Sequence, residues 1–294
     1  MVASVRLPAN ADPGLAARLR AVRYVYTDLD GTLLGPGGSI FTSPGGGLTL
    51  DPAATLVAGL GAGLEVVPIS GRNKWQLLGD VRLLGLDDYI AEAGCLIVRD
   101  RMKEEIPVAG GFGPGEGSVF DRILSSGALE LLAREFPGRI EPHDPWNEDR
   151  DFSHVLRGNV NLARANSALT TLDLPISLID NGIIHPRSHT LAGVDEIHAY
   201  HLLPAGAGKA GALALDLSLR RATPAEAIAV GDSASDLELA SHVEAFFLVA
   251  NGARDESLAA RAARLDNVYV TAGEMGLGWA EAVRSVLHAR TARD

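Results

Sequence analysis

Four times along this chain a short apolar run ends on a polar residue able to do chemistry. Val22-Arg23-Tyr24-Val25-Tyr26-Thr27 runs into Asp28, and Leu64 to Ile69 runs into Ser70. Ala227 to Val230 is followed by Gly231 and Asp232, and Ala245 to Ala250 ends at Asn251. The runs are rich in β-branched and aromatic residues and read as strands. Between them lie helical patterns, one opened by Asp51-Pro52 with Asp51 as cap, others over 74–85 and 208–221. Strands alternating with helices build a parallel sheet covered on both faces. Ligands of such a sheet bind outside the carboxyl ends of its strands, so four polar clusters are directed to one crevice.

The middle of the chain has another texture. Helical patterns near 118–135 and 160–172 flank an acidic, proline-containing loop from Glu141 to Asp151. Asp180-Asn181-Gly182, between Ile176–Ile179 and Ile183–Ile184, predicts a hairpin turn. With 294 residues there is chain enough for a core and a second lobe. The expected fold class is α/β: a Rossmann-like parallel sheet core with helices on both faces, formed by 1–99 and 203–294, plus an inserted α+β domain over 100–202. Tyr89 to Val98 is expected to contain a strand, and the glycine-rich run from Gly35 to Gly47 to form a mobile loop.

Charge and cysteine content narrow the function classes. A net charge of -11 disfavours bulk attraction to nucleic acid or to an anionic membrane. It leaves room for a small anionic substrate neutralised locally by a metal ion and a lysine. The single cysteine, Cys95, excludes an intramolecular disulfide and a cysteine-based zinc site. Met1 to Arg20 lacks the apolar run of a signal peptide, and no stretch approaches the roughly 20 apolar residues of a membrane span. The expectation is a cytoplasmic protein; oligomeric state is not legible.

The polar clusters carry the chemistry. Asp28 and Asp30, two residues apart at a strand mouth, can face one pocket. Carboxylates that close repel unless a divalent cation lies between them or one holds a proton. Phosphoryl transfer uses both features, a carboxylate nucleophile and a neighbouring acid. Gly31 lets backbone approach a phosphate and Thr32 can donate to it, although an ordinary Asp-Gly turn accounts for the same residues. Ser70-Gly71-Arg72 offers a hydroxyl and amides at a helix start, which suits an anion or a simple cap. Lys209, among small residues in Gly206-Ala207-Gly208-Lys209-Ala210-Gly211, is placed either to neutralise a phosphoryl group or to stand exposed at a helix start. Asp232 and Asp236 form a second acidic pair suited to magnesium or to helix capping. Two histidine pairs, His185 with His189 and His198 with His201, read as ordinary surface or half-buried histidines rather than ligands.

The set Asp28-Leu29-Asp30-Gly31-Thr32-Leu33-Leu34, Ser70-Gly71-Arg72, Lys209 and Gly231-Asp232-x-x-x-Asp236 resembles the four motifs of the haloacid dehalogenase-like phosphatase superfamily. The resemblance implies that Asp28 is the nucleophile and Asp30 the acid and base. Thr32, Ser70, Gly71, Arg72 and Lys209 would bind the substrate phosphate. Magnesium would be held by Asp28, Asp232 and the backbone carbonyl of Asp30, with Asp236 in or just behind the shell. Residues 33–69 are too few for a folded insertion, whereas 73–208 have room for one. That placement resembles the Cof-like branch, which includes sugar-phosphate phosphatases and whose second lobe, the cap, chooses the leaving group. Ala91-Glu92-Ala93-Gly94 stands where many relatives show Glu-Asn-Gly. The resemblance implies a magnesium-dependent phosphatase of a small phosphorylated metabolite. A phosphosugar mutase, a glycosyltransferase using Asp28-x-Asp30 as a metal pair, and a silent phosphosugar-binding regulator are the alternatives.

Overall fold

The apolar runs fold as strands. In the computed structural model, which describes residues 13–113, 115–184 and 186–291, twelve strands follow one another. They are β1 (Tyr24–Thr27), β2 (Glu65–Pro68), β3 (Tyr89–Ala91), β4 (Leu96–Arg99), β5 (Glu104–Pro107) and β6 (Ile140–Pro142). After these come β7 (His154–Gly158), β8 (Ile176–Ile184), β9 (Ile197–Pro204), β10 (Ala227–Gly231), β11 (Ala245–Leu248) and β12 (Val268–Val270). The chain divides into two compact units, one formed by residues up to Ser70 and from Leu213 onward, the other by Gly71–Ala212. Residues 1–12, within the segment read as lacking a signal peptide, lie outside the described residues.

The first unit holds a five-stranded parallel sheet in the order β12-β11-β10-β1-β2. Every residue of β1, β10 and β11 is buried, so both faces of the sheet are covered, as a parallel sheet requires. Helices Asp51–Gly61 and Met275–Thr291 pack together, and the short helix Pro13–Leu19 joins the latter. Trp279, Tyr26, Phe246, Phe247 and Leu15 fill this core. Asp51 lies inside its helix rather than capping it: Leu50 is the cap residue, and Pro52 takes the first turn, where its missing N–H leaves no acceptor unsatisfied. The run Gly35–Gly47 is a series of hydrogen-bonded turns with bridges at Gly35–Ser39 and Thr42–Leu48.

The second unit is α+β. It carries an antiparallel sheet β3-β4-β5 and a four-stranded antiparallel sheet β6-β7-β9-β8. One face of the larger sheet presents Ile140, Leu156, Leu178, Tyr200 and Leu202 to a core completed by Ile123, Leu132 and Leu169 from helices Val119–Ser125, Ala128–Glu135 and Leu162–Leu169. The expected strand signal in 89–98 is present as two strands, because Glu92 and Ala93 adopt positive φ values of 49° and 55° and turn the chain between β3 and β4. One expectation is corrected here. Asp180-Asn181-Gly182 is a bulge inside the continuous strand β8, not a hairpin. The Asp180 side chain accepts from Gly182 N at 2.8 Å and so absorbs the extra residues locally. No helix among the described residues is long and apolar enough to cross a membrane.

Candidate active site

β1 lies between β10 and β2, with Thr27 paired to Val230 on one side and to Pro68 on the other. Parallel registration brings the three carboxyl ends to the same level, and each is followed by a polar residue: Asp28, Ser70 and Asp232. Asp28 and Ser70 are buried, and Asp28 N donates to Val230 O at 3.0 Å. The structure brings Asp28, Asp232 and Asp236 together, one carboxylate oxygen of each lying within 4.8 Å of the others. Two unit charges about 4 Å apart repel by roughly 4 kcal/mol at an effective dielectric near 20, so such a group needs donors or a cation.

Some of that stabilisation comes from the protein. Thr32 Oγ1 donates to Asp232 Oδ1 at 3.2 Å. Asn251 Nδ2 donates both to Asp232 Oδ2 (3.1 Å) and to the carbonyl of Gly31 (2.9 Å). Met275 N in turn holds Asn251 Oδ1 at 2.8 Å, fixing the amide's orientation. Asp236 is fully buried, and its Oδ2 accepts from Ser233 Oγ (2.6 Å), Ser233 N (3.1 Å) and Asp232 N (3.3 Å). Asp236 therefore braces the turn that aims Asp232. Asp30 is exposed and stands outside the three-carboxylate group. The donor set is all hard oxygen, which fits magnesium and not a soft or imidazole-preferring metal.

Gly31 carries a specific constraint. Its φ is +81°, and a β-carbon there would lie 2.4 Å from Asp232 Oδ2. Gly31→Ala is expected to cost about 1–3 kcal/mol and to displace Asp232. Urea unfolding checks the cost; a loss below about 0.5 kcal/mol would show that the turn adapts.

Of the remaining sequence candidates, Gly71, Arg72 and Lys209 belong to the second unit. Arg72 Nη1 pairs with Asp80 Oδ2 at 2.7 Å, and Arg72 O accepts from Glu92 N at 2.9 Å. Gly71 O accepts from Arg150 Nη2 at 2.8 Å. Lys209 is buried, 3% exposed, as the first residue of helix Lys209–Leu219.

Against known proteins, no family model matches the chain, and no curated protein matches it in sequence. Solved structures do match. A sucrose-phosphatase from Synechocystis aligns at a TM-score of 0.61 and 16% identity, over 91% of this chain and 98% of that one. A haloacid dehalogenase-like hydrolase from Bacteroides thetaiotaomicron aligns at 0.57 and 18%, over 90% and 99%. A Thermoplasma acidophilum protein gives 0.62 and 14%, over 90% and 98%. The chain shares the fold of these haloacid dehalogenase-like structures.

On this haloacid dehalogenase-like sheet the three carboxylates come from adjacent strands, β1 and β10. Sequence reading noticed Asn251 only as a strand-end turn, yet its amide links Gly31, Asp232 and Met275. Its position after β11 was the available signal. His201 departs from the expectation of an ordinary histidine: it is 2% exposed. His198 stacks at 6.0 Å on Tyr200, and contacts with Asp180 and then Glu196 raise its pKa to about 9. His185 lies outside the described residues.

Proposed function

We propose that the protein is a magnesium-dependent phosphatase that hydrolyses a small phosphorylated metabolite, of the sugar-phosphate kind, through an aspartyl-phosphate on Asp28. The observation that carries this reading is the convergence of Asp28, Asp232 and Asp236 at the carboxyl ends of neighbouring parallel strands. An isolated Asp28-x-Asp30 metal pair, as in a glycosyltransferase, leaves that convergence without purpose.

In this reading an Asp28 oxygen attacks phosphorus and the bond to the leaving oxygen breaks, while Asp30 gives that oxygen its proton. Asp30, now ionised, takes a proton from the water that attacks the aspartyl-phosphate, and inorganic phosphate leaves with Asp28 restored. The exposure of Asp30 suits a group that exchanges protons with solvent in each cycle. Thr32, Ser70, Gly71, Arg72 and Lys209 bind the phosphate, the lysine offsetting its charge. Asp28, Asp232 and the carbonyl of Asp30 hold magnesium, and Asp236 orients Asp232 from behind. The ion supplies charge neutralisation at the phosphoryl group. Residues 100–202, wholly within the second compact unit, act as the lobe that selects the leaving group, on a core of 1–99 and 203–294. The substrate site is proposed to work in the cytoplasm, without nucleic acid or membrane as partner.

Excess chelator is expected to lower phosphate release from p-nitrophenyl phosphate to background. Magnesium should restore it and calcium should not, because calcium's larger, looser shell misplaces an attacking carboxylate. Full turnover in chelator would rule out the metal's role.

A further inference from the structure

Asn251, in the turn that follows β11, ties together three stretches of chain far apart in sequence, all within the first unit. Its Nδ2 donates to the carbonyl of Gly31 at 2.9 Å and to Asp232 Oδ2 at 3.1 Å, while its Oδ1 accepts from Met275 N at 2.8 Å. Turned over, the amide would set its oxygen against two acceptors and its NH2 against a donor, so these partners admit a single orientation. The surrounding backbone is fitted to it. A β-carbon on Gly252 would lie 2.4 Å from Asp232 O, so the Asn251 turn rests directly on Asp232. A β-carbon on Gly276 would lie 2.9 Å from Leu33 O, so the start of helix Met275–Thr291 rests on the turn after β1. Met275 itself keeps a left-handed φ of 48°, uncommon in a residue with a β-carbon, and its N–H is the one aimed at Asn251.

These contacts grip Asp232 from two sides. Thr32 Oγ1 donates to Oδ1 at 3.2 Å and Asn251 Nδ2 to Oδ2, so rotating the carboxylate about its bond to the β-carbon breaks both at once. Hydrogen bonds to an ionised acceptor are the stronger kind. What such a grip achieves depends on the ion. Magnesium is small and demands near-ideal octahedral geometry, whereas calcium accepts a larger, more flexible oxygen shell with carboxylates bound through one oxygen or both. A carboxylate held at both oxygens serves magnesium; one free to turn serves calcium as well.

We infer that Asn251 is a positioning residue that sets the preference of the three-carboxylate site for magnesium over calcium. It acts through Asp232, whose orientation it transmits from Met275 N, and is not itself a ligand. The inference rests on the magnesium reading of the site and deepens it. An asparagine that merely closes the turn after β11 has a different signature: its loss weakens the binding of both ions alike, or of neither.

The test uses full-length protein stripped of metal, with magnesium chloride and calcium chloride as calorimetric probes and no substrate, so binding is read apart from turnover. Asn251→Leu roughly keeps side-chain volume and removes all three hydrogen bonds. It is expected to weaken magnesium binding about 10- to 100-fold, the range for loss of a group that orients a metal ligand. Calcium binding should weaken less than about twofold, so the magnesium-to-calcium affinity ratio falls about fivefold or more. Thr32→Val removes the donor on the other oxygen and should lower the ratio in the same direction; it decides the matter if Asn251→Leu fails to fold by circular dichroism. A folded variant with an unmoved ratio, whether both affinities hold or both fall together, overturns the inference and leaves the phosphatase reading standing. So does a wild type that binds calcium as tightly as magnesium. A wild type that binds neither ion overturns the metal reading and the inference together.

Discussion

Asp28→Asn is expected to lower turnover of p-nitrophenyl phosphate by on the order of 10⁴-fold or more, with the fold retained. Loss of a catalytic nucleophile removes the covalent route itself, and effects of that size or larger follow elsewhere. Asparagine is nearly isosteric with aspartate, so the backbone bond from Asp28 N to Val230 O and the packing at the end of β1 persist. Removing one of three neighbouring carboxylates also relieves repulsion, so the variant is expected to unfold at equal or higher urea concentration than the wild type in the absence of metal. Activity and stability thus move in opposite directions, the behaviour of a functional rather than a structural aspartate. A second observable separates nucleophile from metal ligand. Wild-type protein quenched during turnover of labelled phosphate ester should carry acid-stable label on Asp28, and the asparagine variant none. Residual turnover above about one per cent, or label on another residue, would remove Asp28 from the role proposed for it.

Much of this site was legible because strand ends announce themselves. Asp28, Ser70 and Asp232 each stop an apolar run, and the parallel sheet aligns those stops physically, so pattern and position carried the same information. The cluster of His143, Asn181 and His201 was not legible for the opposite reason. His143 directly follows β6, Asn181 lies in β8 and His201 in β9, of an antiparallel sheet whose register no local signal sets. The bulge that places Asn181 uses the same Asp-Asn-Gly chemistry that makes a hairpin turn, and only the continued pairing of β8 with β9 distinguishes the two outcomes. Likewise Tyr89 to Val98 reads as containing a strand, and no local signal says that it holds two. What divides it is a long-range interaction, since the turn at Glu92 and Ala93 is secured by atoms about 60 residues away. Asp236 shows the intermediate case. Its place in the motif was evident, but its work as a brace for Ser233 and Asp232 depends on the tight turn after β10.

Glu92→Ala is expected to destabilise the second unit by about 3–5 kcal/mol, the loss seen when one member of a buried ion pair is removed. Glu92 is completely buried, and its carboxylate accepts from Asp151 N (2.8 Å), Phe152 N (3.1 Å), Ser153 N (2.8 Å) and Ser153 Oγ (2.8 Å), with Arg150 Nη1 3.8 Å away. Left-handed backbone at Glu92 and Ala93 costs roughly 1–2 kcal/mol per residue, and it persists only while this anchor holds it. Alanine would leave the amides of Phe152 and Ser153 without an acceptor and Arg150 without its carboxylate. Glu92→Gln keeps an acceptor and the side chain's length, so it should cost clearly less. Trp75 and Trp146 lie in the second unit and Trp279 in the first, which lets urea unfolding followed by fluorescence in a Trp279→Phe background report the second unit alone. A cost under about 1 kcal/mol, or equal costs for alanine and glutamine, would show that the 150–153 segment is held by something other than this carboxylate.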